Sequence, residues 1–310
     1  MTEGLAQSTT IEILLIVVAI LVALASIFPL LHKFTGGVPV SYRIAFLGRP
    51  RSGKTSLLAA MFDEILNSPE QKRIRITGST TIRKIGEITH SLDTHRKVSP
   101  TQAQDRFLFR FFYQPASFLR RFLRYEVEIT DFPGEYSDDL FAASEDERLT
   151  YDEQFLIDSE YLSWATHSHL LILAIDSAEW LRQGSEYSQT ISHKMRSTIL
   201  ALAEQRSEAS ISDRPYKIAL VFTKVDMWDM LSNPENLDFK NEAAFRYNCR
   251  SVDELRNNIL KEVHLEFSTL TNYLENSNHD FKIFMTSSLK SEDNKERYGI
   301  KDLLAFCLPR

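Results

Sequence analysis

The sequence predicts an α/β chain organised as a doubly wound, mostly parallel sheet. Apolar strand-like runs alternate with helical stretches along most of its 310 residues, and hairpin signals are few. Short turns carrying Gly, Asp, Lys or Ser recur just after those strands. In open α/β sheets ligands bind at the C-terminal edge of the strands, so the chemistry should lie in these turns.

The first strand is expected over residues 40–47 and is followed by Gly48, Arg49, Pro50, Arg51, Ser52, Gly53, Lys54 and Thr55. This octet fits G-x-x-x-x-G-K-[ST], the phosphate-binding P-loop, and a helix over residues 54–66 follows. Gly48 and Gly53 let the backbone curl. The N–H groups of Arg51, Ser52, Gly53, Lys54, Thr55 and Ser56 can then face a phosphate, aided by the helix dipole. Lys54 supplies a point charge to the β/γ-phosphates, and Thr55 offers a hydroxyl to Mg²⁺.

Three more turns complete a nucleotide site in chain order. After a strand over residues 125–130 come Asp131, Phe132, Pro133 and Gly134. In this D-x-x-G pattern the carboxylate holds Mg²⁺ through a water and the Gly134 N–H meets the γ-phosphate. After a strand over residues 217–222 come Thr223, Lys224, Val225 and Asp226. In [NT]-K-x-D the aspartate accepts from guanine N1 and N2 while the lysine stem lies along the base. Adenine offers no such donor pair, and a desolvated carboxylate left unpaired rejects it. After a strand over residues 281–285 come Thr286, Ser287 and Ser288, a loop whose backbone N–H reads guanine O6, with Ser288 as donor.

On these residues the chain resembles P-loop GTPases of the translation-factor and Ras-like class over most of residues 40–310. The resemblance implies a doubly wound α/β domain, GTP/GDP and Mg²⁺ binding, and a switch coupled to GTP hydrolysis. Two narrower resemblances compete. The β-subunit of the signal recognition particle receptor has the same layout, one N-terminal membrane helix and then a GTPase domain. The bacterial YcjX-like family shares the run Asp131, Phe132, Pro133, Gly134 and Glu135.

The sequence departs from the Ras-like pattern at informative places. Glu135 stands where many relatives carry the Gln that orients the attacking water, and its charge would face the γ-phosphate. Slow turnover, or reliance on an activating partner, is therefore expected. Pro50 crowds the space a partner's arginine finger would use; Arg49 and Arg51 either act in cis or face solvent. Thr101 is the expected switch I ligand of Mg²⁺ and sensor of the γ-phosphate, just ahead of a strand over residues 105–113, with Thr94 as runner-up. The stretch 76–104, rich in Thr, Arg and His, reads as a long switch loop. The expected catalytic set is thus Glu135, Lys54 and Thr101, and the metal set Thr55, Thr101 and Asp131. Other readings are a GTP-binding receptor module that does not turn over and, more remotely, a P-loop ATPase.

Residues 13–31 form an uncharged apolar run of 19 residues. At 1.5 Å per residue it just spans a hydrocarbon core of about 30 Å. Glu3 and Glu12 precede it without any Lys or Arg, which argues against a cleaved signal peptide. His32, Lys33 and Arg43 follow it, placing the larger domain in the cytoplasm by the positive-inside rule. The expected organisation is a tail (1–12), a transmembrane helix (13–31), a linker (32–39) and one large domain (40–310).

Net charge of −6 argues against bulk nucleic-acid binding. A protein effector or activator is expected beside the membrane. Cys249 and Cys307 are far apart and lack metal spacing, so they read as reduced thiols. Residues 137–166 read as a long polar helical region, residues 170–175 as a strand, and 185–208 as a helix. Residues 252–276 read as one amphipathic helix bearing Leu255, Ile259, Val263 and Phe267, and 299–308 as a last helix. Residues 106–124 interleave five Arg with six Phe. Alternation makes the first half a strand; residues 117–124 fit a strand or a basic helix suited to an anionic bilayer.

Overall fold

A computed structural model describes residues 16–23, 25–26, 39–67, 74–77, 79–94, 107–115, 123–131, 160–211, 215–228, 252–290 and 297–309. Seven strands form one sheet: β1 (Val40–Leu47), β2 (Ile74–Thr77), β3 (Phe107–Tyr113), β4 (Tyr125–Asp131), β5 (Leu170–Asp176), β6 (Lys217–Thr223) and β7 (Asp280–Met285). Their spatial order is β2-β3-β4-β1-β5-β6-β7. Neighbours from β4 to β7 pair in parallel, with Ile44 beside Ile129 and Leu170, Leu170 beside Lys217, and Lys217 beside Asp280. β3 runs antiparallel to both β4 and β2. The central strands are apolar almost throughout because both of their faces are covered.

Eight helices are described within the sheet domain: α1 (Lys54–Asn67), α2 (Ser79–Asp93), α3 (Glu160–Thr166), α4 (Ser177–Gln183), α5 (Ser185–Glu208), α6 (Val252–Glu266), α7 (Ser268–Asn276) and α8 (Ile300–Cys307). Strand alternation divides the core in two. Ile44, Phe46, Ile172 and Val221 pack with Leu57, Phe62, Leu303 and Phe306 of α1 and α8. Ala45, Leu47, Leu173, Leu220 and Phe222 face the other way, against Trp180, Ile191, Ile199, Val263 and Leu270 of α4 to α7. This is the doubly wound arrangement expected.

Two expectations need correction. Residues 76–104 are not one long loop: β2 and α2 occupy much of the stretch. α2 forms because Ile85, Ile88 and Leu92 make a buried stripe at spacings of three and four, and Ile85 reaches the core beneath α1. Residues 252–276 form two helices, broken at Phe267 (φ −98°, ψ 22°), whose ring is fully buried. In β3 the alternation holds, with Phe109 and Phe111 buried and Leu108 exposed. Of residues 137–166 only α3 lies among the described residues; of 117–124, only 123 and 124 do.

Residues 16–23 and 25–26 are helical and exposed. Among the described residues no helix is long and apolar enough to cross a membrane. The remaining residues of the 13–31 run lie outside the described residues.

Candidate functional site

The octet turns between β1 and α1. Gly48 is required there by space: a Cβ would lie 2.6 Å from the Ala174 carbonyl oxygen and 2.8 Å from Ser52 Oγ. Gly53 has φ +83° and lies against Thr223. Arg51 holds φ 66° with a side chain attached, a local strain of the kind that gathers at ligand loops. Lys54 is buried, and its ammonium donates to the Gly48 carbonyl at 2.6 Å and the Arg49 carbonyl at 2.9 Å, so its charge sits inside the loop. Ser52 Oγ is buried and has no hydrogen-bond partner among the described residues. A loop that buries a cation, leaves a hydroxyl unpaired and excludes any Cβ at its first glycine fits an oxyanion such as phosphate. Arg49 and Arg51 are both exposed, and Pro50 is half-buried.

The loop is bolted to the next two strand ends. Thr223, the last residue of β6, directs its hydroxyl to the Ser52 carbonyl at 2.6 Å and the Ile175 carbonyl at 3.1 Å. Ser177 Oγ donates to the Thr223 carbonyl. Lys224 has φ 58°, and its ammonium pairs with Asp176 Oδ2 at 2.5 Å. The pair fixes the lysine stem at the strand edge. Asp176 also caps α4, its Oδ1 accepting from the N–H groups of Ala178 (3.1 Å) and Glu179 (3.2 Å).

The turns after β6 and β7 meet. Ser287 Oγ donates to Asp226 Oδ1 at 2.8 Å, and the Val225 N–H donates to the Thr286 carbonyl at 3.2 Å. Asp226 lies in a short 3-10 turn, Val225–Trp228, directly after β6, and Thr286 follows β7. Lys224, Asp226, Ser287 and Ser288 are thus gathered at one end of β6 and β7, beside the P-loop.

The residues expected at Mg²⁺ and the γ-phosphate are only partly in view. Thr55 is half-buried in the first turn of α1. Asp131 is the last residue of β4, which lies next to β1 and runs one residue further than the strand expected over 125–130. Thr101, Gly134 and Glu135 lie outside the described residues. Thr94, the alternative to Thr101, closes α2 with its hydroxyl donating to the His90 carbonyl at 2.8 Å. Among the described residues no three acidic, His or Cys side chains group as a metal site. A Mg²⁺ held by one hydroxyl, a carboxylate through water and phosphate oxygens needs no such group. Cys307 is free and buried, its thiol pushed up to about 12 by burial.

Sequence reading missed Asp176 and Arg297. Asp176 and Glu179 have the spacing of a helix-start signature, which was available after the apolar strand. Arg297 carries no local pattern; its partners are Asp63, Asp93 and the Ser288 carbonyl.

A mostly parallel α/β domain with this loop after β1 and these joined turns after β6 and β7 has the architecture of a P-loop GTPase. The model of the Double-GTPase 2 family matches residues 42–307, and the chain belongs to that family. No curated protein sequence matches it. Among solved structures it is similar to the bacterial selenocysteine-specific elongation factor EF-Sec, with 18% identity and a TM-score of 0.35 over 85% of this chain. The chain spans only 27% of that factor's length. It is also similar to the signal recognition particle receptor SRb-GTP/SRX complex from Chaetomium thermophilum, with 12% identity, a TM-score of 0.38, and coverage of 82% of this chain and 94% of that one. The Arl6 BBS3 small GTPase from Trypanosoma brucei gives 12%, 0.38, 86% and 95% for the same quantities. These likenesses assign no partner or substrate to this chain.

Proposed function

We propose that this protein is a membrane-anchored, cytoplasm-facing switch that binds GTP with Mg²⁺ and hydrolyses it slowly, with a protein partner as effector or activator. The observation that carries the nucleotide reading is the joining of three loops at one sheet edge. Thr223 ties the P-loop to β6, and Ser287 ties the β7 turn to Asp226.

In this reading the P-loop N–H groups and Lys54 neutralise charge that builds on the phosphates. Thr55, Asp131 and Thr101 would hold Mg²⁺, which would supply positive charge against that building on the phosphates. Gly134 meets the γ-phosphate, and Glu135 orients the water. Asp226 accepts from guanine N1 and N2, the stem of Lys224 forms one wall of the base site, and Ser288 N–H donates to O6. Glu135 in place of a neutral amide also supports a second reading, a GTP-binding module without turnover. The apolar run 13–31, with acids before it and Lys33 after it, supports the anchor.

The test uses the full chain with Mg²⁺ and measures affinity for GTP, GDP and ATP together with phosphate release. Guanine preference with slow release is expected, and Asp226→Ala should reduce that preference by about 10²-fold or more. Tight GTP binding without release selects the module without turnover. An ATP preference unaffected by Asp226→Ala overturns the guanine reading. Extraction of the protein from membranes by alkaline carbonate would overturn the anchor.

A further inference from the structure

Arg297 is a buried guanidinium, with 2% of its side chain exposed, just before α8. Its Nε and Nη2 donate to Asp63 Oδ2 of α1 at 3.2 and 2.9 Å. Nη2 also reaches Asp93 Oδ1, at the end of α2, at 2.8 Å, and Nη1 donates to the Ser288 carbonyl. Lys290 completes the cluster, 2.8 Å from Asp93 and 3.4 Å from Asp63. One rigid fork thus joins two helices and the turn after β7, a geometry that an ammonium cannot reproduce.

The hydrogen bonds of that turn show what the fork fixes. The peptide joining Thr286 to Ser287 is held by the Ser287 N–H donating to the Tyr298 carbonyl at 3.0 Å. The peptide joining Ser288 to Leu289 is held at both ends: Arg297 takes its carbonyl, and its N–H donates to Ser287 Oγ at 3.1 Å. Between these lies the peptide joining Ser287 to Ser288, whose N–H donates to no described residue. Its direction is dictated by the two fixed neighbours.

We propose that Arg297 is a positioning residue for base recognition. It aims the Ser288 N–H at the O6 of a 6-oxopurine, and it anchors this aim to α1 and to α2. The inference rests on the guanine reading above, and the experiment separates the two.

Equilibrium affinities of the full chain with Mg²⁺ are measured for GDP, IDP and ADP. GDP and IDP both carry O6; only GDP carries the 2-amino group that Asp226 reads. Arg297→Lys is expected to weaken GDP and IDP together by about tenfold, the worth of one well-aimed hydrogen bond, and to leave ADP affinity and the GDP:IDP ratio unchanged. Asp226→Ala should instead collapse the GDP:IDP ratio. Equal weakening of all three nucleotides by Arg297→Lys marks a merely structural arginine and overturns the proposal, as does an unchanged profile. If the wild type itself binds GDP and ADP alike and Asp226→Ala changes nothing, the guanine reading has failed instead. Should Arg297→Lys not fold, Asp93→Asn removes one anchor and keeps the fork. The same joint loss for GDP and IDP, smaller in size, supports the proposal, and an unaltered profile overturns it.

Discussion

A methyl group at Gly299 would sit 2.0 Å from the Met285 carbonyl oxygen, and the residue holds φ +70°. No rotation of a side chain relieves this, because the obstructing atom is backbone at the end of β7. The position lies two residues from Arg297, where the chain returns to the turn after β7. Gly299→Ala should therefore destabilise the domain by roughly 1–2 kcal/mol for the left-handed backbone and about 1–3 kcal/mol for the clash. A urea midpoint lowered at unchanged slope would bear this out; a wild-type midpoint would mean that the turn adapts at no cost. Gly48 is constrained in a related way, but by Ala174 of β5, so its replacement should act on phosphate binding as well as on stability. Lys224 pays a backbone strain of its own at φ 58°, and its ion pair with Asp176 holds the strained turn in place.

At the scale of elements, the break between α6 and α7 is the feature with the clearest energetic content. Phe267 is fully buried, and its ring meets those of Trp180 and Phe222 edge-on, with centroids 5.3 and 5.2 Å away. A continuous helix would carry residues 268–276 past the sheet; the turn at Phe267 lets Leu270 and Leu274 reach the same core. Phe267→Ala should cost about 3–5 kcal/mol through lost burial and a cavity. A drop in unfolding free energy below about 1 kcal/mol would show that the two helices are not held by this ring. The i, i+4 stripe through Ile259, Val263 and Phe267 made the helix legible, but propensity says nothing about where a helix must bend to follow a curved core. β1 and α5 were legible to the residue because a breaker marks one end of each: Gly48 follows the apolar run of β1, and Gly184 precedes α5. β2, by contrast, has four residues and gains its place only by pairing with β3, which no local pattern announces. The P-loop and the turns after β6 and β7 were readable as motifs because each is contiguous. Arg297 was not, since it meets Asp63 and Asp93 across 234 and 204 positions.

For the whole molecule, the two core layers and the binding edge follow from one topology. The order β4-β1-β5-β6-β7 brings the ends of four sequence-distant strands together, and the hydrogen bonds among their turns are few and polar. Such an edge contributes little to folding by itself, while the layers beneath are packed on both sides. A ligand that engages all of these turns binds the folded chain and not the unfolded one. It should therefore stabilise by RT ln(1 + [L]/Kd), about 2.7 kcal/mol at one hundred times Kd. For a domain of this size each kcal/mol is worth roughly 2–4 °C, so GDP with Mg²⁺ should raise the melting temperature by about 5–10 °C. Lys54→Ala should abolish the rise by removing the buried charge at the phosphates. Asp226→Ala should reduce it and leave any response to ADP unchanged, because the role proposed for that carboxylate is to read only the guanine base. Calorimetric scans of the three proteins with each nucleotide test this. Equal responses to GDP and ADP in the wild type would mean that the edge binds phosphates without reading the base.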